Sequence, residues 1–106
     1  MRLGIIIYSN DPETVRNAFR VASSSSGKKD VVNVFLLGKG VESESLDSDE
    51  FHVTDEMNKF IELGGKIHAC GTCLKLRRMG ATDICPISTL SDLQEVISES
   101  DKVLTF

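Results

Sequence analysis

RLGIIIYSNDPETVRNAFRVA, Arg2 to Ala22, holds the two patterns that decide the fold. Arg2 to Tyr8 is a nearly continuous, β-branched apolar run, the pattern of a strand covered on both faces. It stops at Ser9-Asn10-Asp11-Pro12, where Pro12 suits a first helical turn behind a polar cap at Asn10 or Asp11. Val15, Ala18, Phe19 and Ala22 then recur at helical spacing. A buried strand feeding directly into an amphipathic helix opens a strand-helix-strand unit, and such units build parallel sheets.

The remaining chain repeats the alternation. SSSSGKKD (residues 23–30) is expected to break the first helix. Val31 to Leu37 reads as a second buried strand closed by Gly38 and Gly40, and the acidic stretch after it as loop or ragged helix. TDEMNKFIELGG (54–65) reads as a helix capped by Thr54, with Met57, Phe60, Ile61 and Leu63 turned inward and glycines at its stop. Lys66 to Cys70 is a short third strand and GTCLKLRRMG (71–80) a short helix closing at Gly80. TDICPI (82–87) reads as a fourth strand, STLSDLQEVISES (88–100) as a capped helix and KVLTF (102–106) as a fifth strand. Short connections between these elements imply right-handed crossovers. The expectation is one domain over residues 1–106, a three-layer α/β/α sandwich around a mainly parallel five-stranded sheet, without repeats or linkers.

Composition narrows the function. At 41% hydrophobic and 26% charged residues the chain is that of a soluble globular domain, not a disordered one. Its apolar runs are far shorter than the roughly 20 residues of a membrane-spanning helix, so no membrane partner is expected. The N-terminal run meets a polar turn without a small-residue cleavage site, which reads as a first strand of a cytoplasmic protein. A net charge of −4 without a long basic run argues against direct nucleic-acid binding. Glu42 to Glu56 holds seven acidic residues and no Lys or Arg, which suits a solvated surface or a dock for a basic partner.

Parallel sheets gather ligands and reactive groups at the carboxyl ends of their strands, near a switch in strand order. YSNDPE, HACGTC and ICPIS fall on that edge. SNDPETV contains no glycine, so the usual dinucleotide loop is absent and no cofactor is called for. The cysteines carry the chemistry. Three of them, an odd number in a chain without a secretory signal, argue against a disulfide scaffold and leave catalytic, redox or metal roles.

Cys70 would end the third strand just before a helix, whose unpaired N–H groups and dipole favour an anion, so its thiol is expected to titrate below the free value of about 8.5. Lys75, Arg77 and Arg78 would add to that field, and Gly71 would let the backbone turn and leave the sulfur accessible. Cys73 lies one helical turn on, within reach of Cys70 for redox exchange. Cys85, at the end of the expected fourth strand beside Pro86, could approach both, but burial is the preferred reading. A zinc site joining the three cysteines with His52 or His68 has only one CxxC behind it, and no metal is assigned. His68 either tunes Cys70 from the same strand face or is a satisfied core histidine. The bland reading of each cysteine is a small buried hydrophobe.

ACGTCLKLRRMG after a short strand, with the closing SESDKVLTF, resembles the DsrE/DsrF-like family over nearly the whole chain. The resemblance implies the same three-layer sandwich. It implies that Cys70 matches the strand-end cysteine which, in the sulfur-relay members, accepts sulfane sulfur as a persulfide and hands it to a partner thiol. Leu76 to Gly80 matches the basic segment that follows, Thr72 lies within the motif, and Cys73 matches a second cysteine found in YchN-type members and lacking in TusD-like ones. A sulfur-relay protein, with protein thiols as donor and acceptor and a sulfurtransferase or persulfide-carrier activity, is the implied function. An oligomeric binding or regulatory subunit with structural, redox or metal-binding cysteines is the alternative. The family's habit also implies a homo-oligomer, trimer or hexamer, and the apolar fifth strand suits burial against another subunit.

Overall fold

In a computed structural model describing residues 1–106, the first strand, β1, spans Arg2–Ile7. Asp11 is the cap of helix α1 (Pro12–Gly27), its carboxylate accepting the Thr14 N–H at 2.9 Å. The helix does not break at the serines. Ser23 and Ser26 lie inside it and are buried, and the chain turns only at Lys28 and Lys29, the latter at φ 69°.

β2 (Val31–Leu36) leads into a 3-10 helix at Gly38–Ser45, where the sequence suggested only loop or ragged helix. α2 covers Val53–Glu62. Thr54 is not its cap: it sits in the first turn and gives its N–H to Asp47 Oδ1 at 2.8 Å. Val53, Met57 and Phe60 face the core, whereas Ile61 and Leu63 are exposed. Ile61 is rotated about 100° from Phe60 on the helix, and Leu63 lies past its end.

β3 is Lys66–Cys70, and α3 covers only Gly71–Leu76, closing well before Gly80 through a turn with Arg78 at φ 53°. β4 shrinks to Ile87–Ser88. Residues 83–85 bend instead of extending, held by the Cys85 N–H donating to Thr82 Oγ1 at 3.0 Å, so Cys85 stands in a turn before Pro86 and not at a strand end. α4 (Leu90–Glu99) starts with a full capping box between Thr89 and Asp92, and β5 is Lys102–Thr105.

The strands lie in the order β4-β3-β2-β1-β5, and every pairing is parallel. The chain walks from β1 to β4 in one direction, then crosses to the other side of β1. Right-handed crossovers in opposite directions put their helices on opposite faces. Accordingly α1 and α2 pack together on one face, while α4 lies over β1 on the other, its Val96 and Ser100 against Gly4. This is the three-layer sandwich. Register places Leu3, Ile5, Val32, Val34, Ile67 and Ala69 on the first face, all nearly solvent-free, and Gly4, Ile6, Asn33, Phe35 and His68 on the second.

Candidate functional site: a cysteine pair at the carboxyl edge of the sheet

Cys70 closes β3 and is the cap residue of α3, as its position before Gly71 suggested. Opposite it on β4 stands Ser88, whose hydroxyl donates to Asp92 Oδ2 at 2.7 Å. A groove of about 530 Å³ opens here, lined among others by Cys70, Thr72, Lys75, Ser88 and Asp92. A groove of similar size, about 520 Å³, lies between α1 and α2, but it is lined by residues such as Arg20, Glu56 and Lys59 and holds no cysteine. Chemistry, not volume, singles out the first. The cysteines are two strands away from the β1/β5 switch in strand order, so they share the expected edge but not its switch point.

The expected reactive thiolate at Cys70 is not what its surroundings favour. Cys70 is only 2% exposed, and Gly71 does not uncover it, because Ile87 fills the space beside the glycine. Burial pushes the Cys70 thiol up, and a hydrogen bond to Cys73 pushes it the same way. The N–H groups of Thr72 and Cys73 lie toward the sulfur and favour its anion, without closing a capping hydrogen bond. A six-residue helix offers too little field to outweigh desolvation.

Cys73 is partly exposed, and its Sγ accepts the backbone N–H of Gly38 at 3.2 Å. Gly38 holds the left-handed φ of 56°, and a side chain there would lie 2.6 Å from the Tyr8 ring. The loops after β1 and β2 therefore close over α3. Arg77 fixes the other end: its Nε donates to Glu42 Oε2 at 2.8 Å and its Nη1 to the Cys73 carbonyl at 3.1 Å. That hydrogen bond from Arg77 holds the Glu42 carboxyl below its usual range. Arg78 and Lys75 point to solvent.

Cys85 belongs to a different cluster. It is buried, its neighbours are Thr82 and Glu44, and Thr82 Oγ1 in turn bonds Glu44 Oε1. His68 is a satisfied histidine: Nε2 meets Asn33 Oδ1 at 3.0 Å, the ring stacks on Phe35, and burial pushes its pKa down. No group of three potential metal ligands converges.

The sequence pattern of the DsrE/DsrF-like family matches residues 1–106. The chain belongs to that family. It is 32% identical over 100 residues to an uncharacterised protein of Methanocaldococcus jannaschii, covering 89% of this chain and 88% of the relative. A second relative, from Methanopyrus kandleri, is 29% identical over 110 residues, with 95% and 91% covered. Among solved structures, the ychN protein of E. coli superposes with a TM-score of 0.84 at 20% identity, covering 100% of both chains. A conserved protein of unknown function from Bacteroides thetaiotaomicron gives 0.76 at 22% identity, with 99% and 94% covered. These two establish the shared fold.

Within this DsrE/DsrF-like chain, sequence reasoning overlooked Tyr8, Gly38 and Glu42 as partners of the cysteine pair. The signal was Leu37-Gly38-Lys39-Gly40: two glycines beside a strand's carboxyl end mark a close backbone approach.

Burial of a thiol also ties stability to alkaline pH. Burial first, and then the Glu44 carboxylate, drives the Cys85 thiol strongly upward. A folded thiol that keeps its proton while the unfolded one loses it contributes stability in full below the free value of about 8.5, and loses it as pH rises further. Between about pH 8.5 and pH 10.5 wild-type stability should fall more steeply than that of Cys85→Ala, by about 1.4 kcal/mol per pH unit. Urea unfolding across that window tests this, and parallel pH profiles would refute it.

Proposed function

We propose that the protein is a sulfur-relay protein that holds sulfane sulfur as a persulfide on Cys70 and passes it to the thiol of a partner protein. The observation that carries this reading is the pair itself: two free sulfurs within hydrogen-bond reach of each other, the inner one at the floor of an open groove on the ligand-bearing edge of a parallel sheet. A donor's persulfide and an acceptor's thiol are the partners such a groove would serve, and the activity is that of a persulfide carrier or sulfurtransferase. Free cysteines suit a reducing, cytoplasmic setting. No helix is long and apolar enough to cross a membrane. The working form we propose is a homo-oligomer, a trimer or hexamer, supported by the exposed apolar residues Leu90, Ile97, Val103 and Leu104 on α4 and the β5 edge.

The test is intact-mass spectrometry after incubation with glutathione persulfide. Wild type should retain the mass of one added sulfur atom, mapped by fragmentation to Cys70, and surrender it to an added protein thiol. Cys70→Ala should retain none. Absence of the adduct from wild type, or equal retention by Cys70→Ala, would favour a binding or regulatory subunit with structural cysteines. Native spectra of the same samples report assembly, and a monomer mass would count against the oligomer.

A further inference from the structure

We propose that Cys73 is the receiving thiol of the pair, taking the incoming sulfur first and passing it inward to Cys70, which stores it. This rests on the carrier reading above and adds an order of events to it. Three observations carry the order. Cys73 is the accessible member, whereas Cys70 exposes 2% of its surface. The Cys73 sulfur alone accepts a full backbone hydrogen bond, from Gly38 at 3.2 Å, which holds and orients it at the mouth of the pair. That donor is fixed, because Gly38 is held in a left-handed conformation with Tyr8 packed where a side chain would be. The charged groups tied to Cys73 form a pair: Arg77 is bound to its carbonyl and to the Glu42 carboxylate.

The chemistry balances. The Cys73 thiolate attacks the terminal sulfur of a low-molecular-weight or protein persulfide, forming one S–S bond and breaking the donor's, and the donor leaves as a thiolate. Cys70 then attacks the same terminal sulfur on Cys73, giving up its proton, which the departed donor thiolate takes. Cys73 leaves as a thiolate onto the Gly38 N–H. One persulfide is consumed and one is formed, so nothing is oxidised or reduced overall. The sulfur thus arrives on the Gly38 side of α3 and is stored where Cys70 floors the groove, whose lining does not include Cys73.

The experiment follows adduct formation in time with glutathione persulfide as the probe. Cys73→Ser should slow the appearance of sulfur on Cys70 by about tenfold or more while reaching the wild-type plateau. Cys70→Ala should gain sulfur on Cys73 at close to the wild-type rate, then lose it. Cys73→Ser loading at the wild-type rate would overturn the proposal and leave the carrier reading intact, and so would Cys70→Ala gaining no sulfur at any time. A wild type that never loads overturns both. The unmodified protein supplies a measurement free of any variant's folding: a brief, limiting iodoacetamide pulse should label Cys73 ahead of Cys70, and the reverse order overturns the proposal.

Discussion

Gly40→Ala is expected to lower folding stability by about 3 kcal/mol, the upper end of ordinary overpacking, and the melting temperature by roughly 15 °C. A Cβ at this position would stand 1.9 Å from the Ile7 carbonyl oxygen. The obstacle is backbone of β1, a strand paired on both sides, which cannot swing aside as a side chain can. The 3-10 helix must therefore lift off β1, and with it Gly38 must withdraw from the Cys73 sulfur. Calorimetry checks the first consequence and a changed rate of Cys73 alkylation at fixed pH the second. A melting temperature within about 3 °C of wild type would refute the steric argument.

Phe60→Ala should cost about 4 kcal/mol, a large share of the 5–15 kcal/mol that holds a typical domain together. Phe60 is fully buried at the contact of α2 with α1, its ring tilted 58° against Phe19 with centroids 5.9 Å apart. Two helices cover this face of the sheet, so neither can collapse into the void without leaving its strands. Urea denaturation should show a midpoint displaced with little change in slope. A loss below about 1 kcal/mol would mean that the core repacks, contrary to expectation.

The alternation of buried runs and amphipathic stretches made the five strands, the four α-helices and the three layers legible, and β3 ends at Cys70 as its sequence suggests. Failures cluster where local pattern competes with tertiary packing. Apolar content placed Ile61 and Leu63 inward, yet α2 presents only Val53, Met57 and Phe60 to the core. Residues 82–87 have strand composition, but the Thr82–Cys85 turn and Pro86 leave two residues able to pair. The place of Cys70 at the end of β3 was legible because strand end and glycine are both local signals. The sign of its titration was not, because the helix field is local whereas burial is set by the whole fold. Gly38's contact with Cys73 spans 35 positions, a distance over which no spacing rule operates.

The position of β1 governs how the protein can be made. This strand is the hub of the sheet, with β2 on one side and β5 on the other, and its β5 partner is encoded almost a hundred positions later, Asp101 lying 99 residues beyond Arg2. On the ribosome, β1 to β4 can assemble in the order of their synthesis, each new strand joining the last. β1 nevertheless keeps one open edge, flanked by Leu3 and Ile5, until Lys102–Thr105 have emerged. The nascent chain is thus exposed to edge-to-edge association through nearly its whole translation. A stall or frameshift before residue 102 would release not a slightly shortened protein but one with β1 unsheathed along one edge.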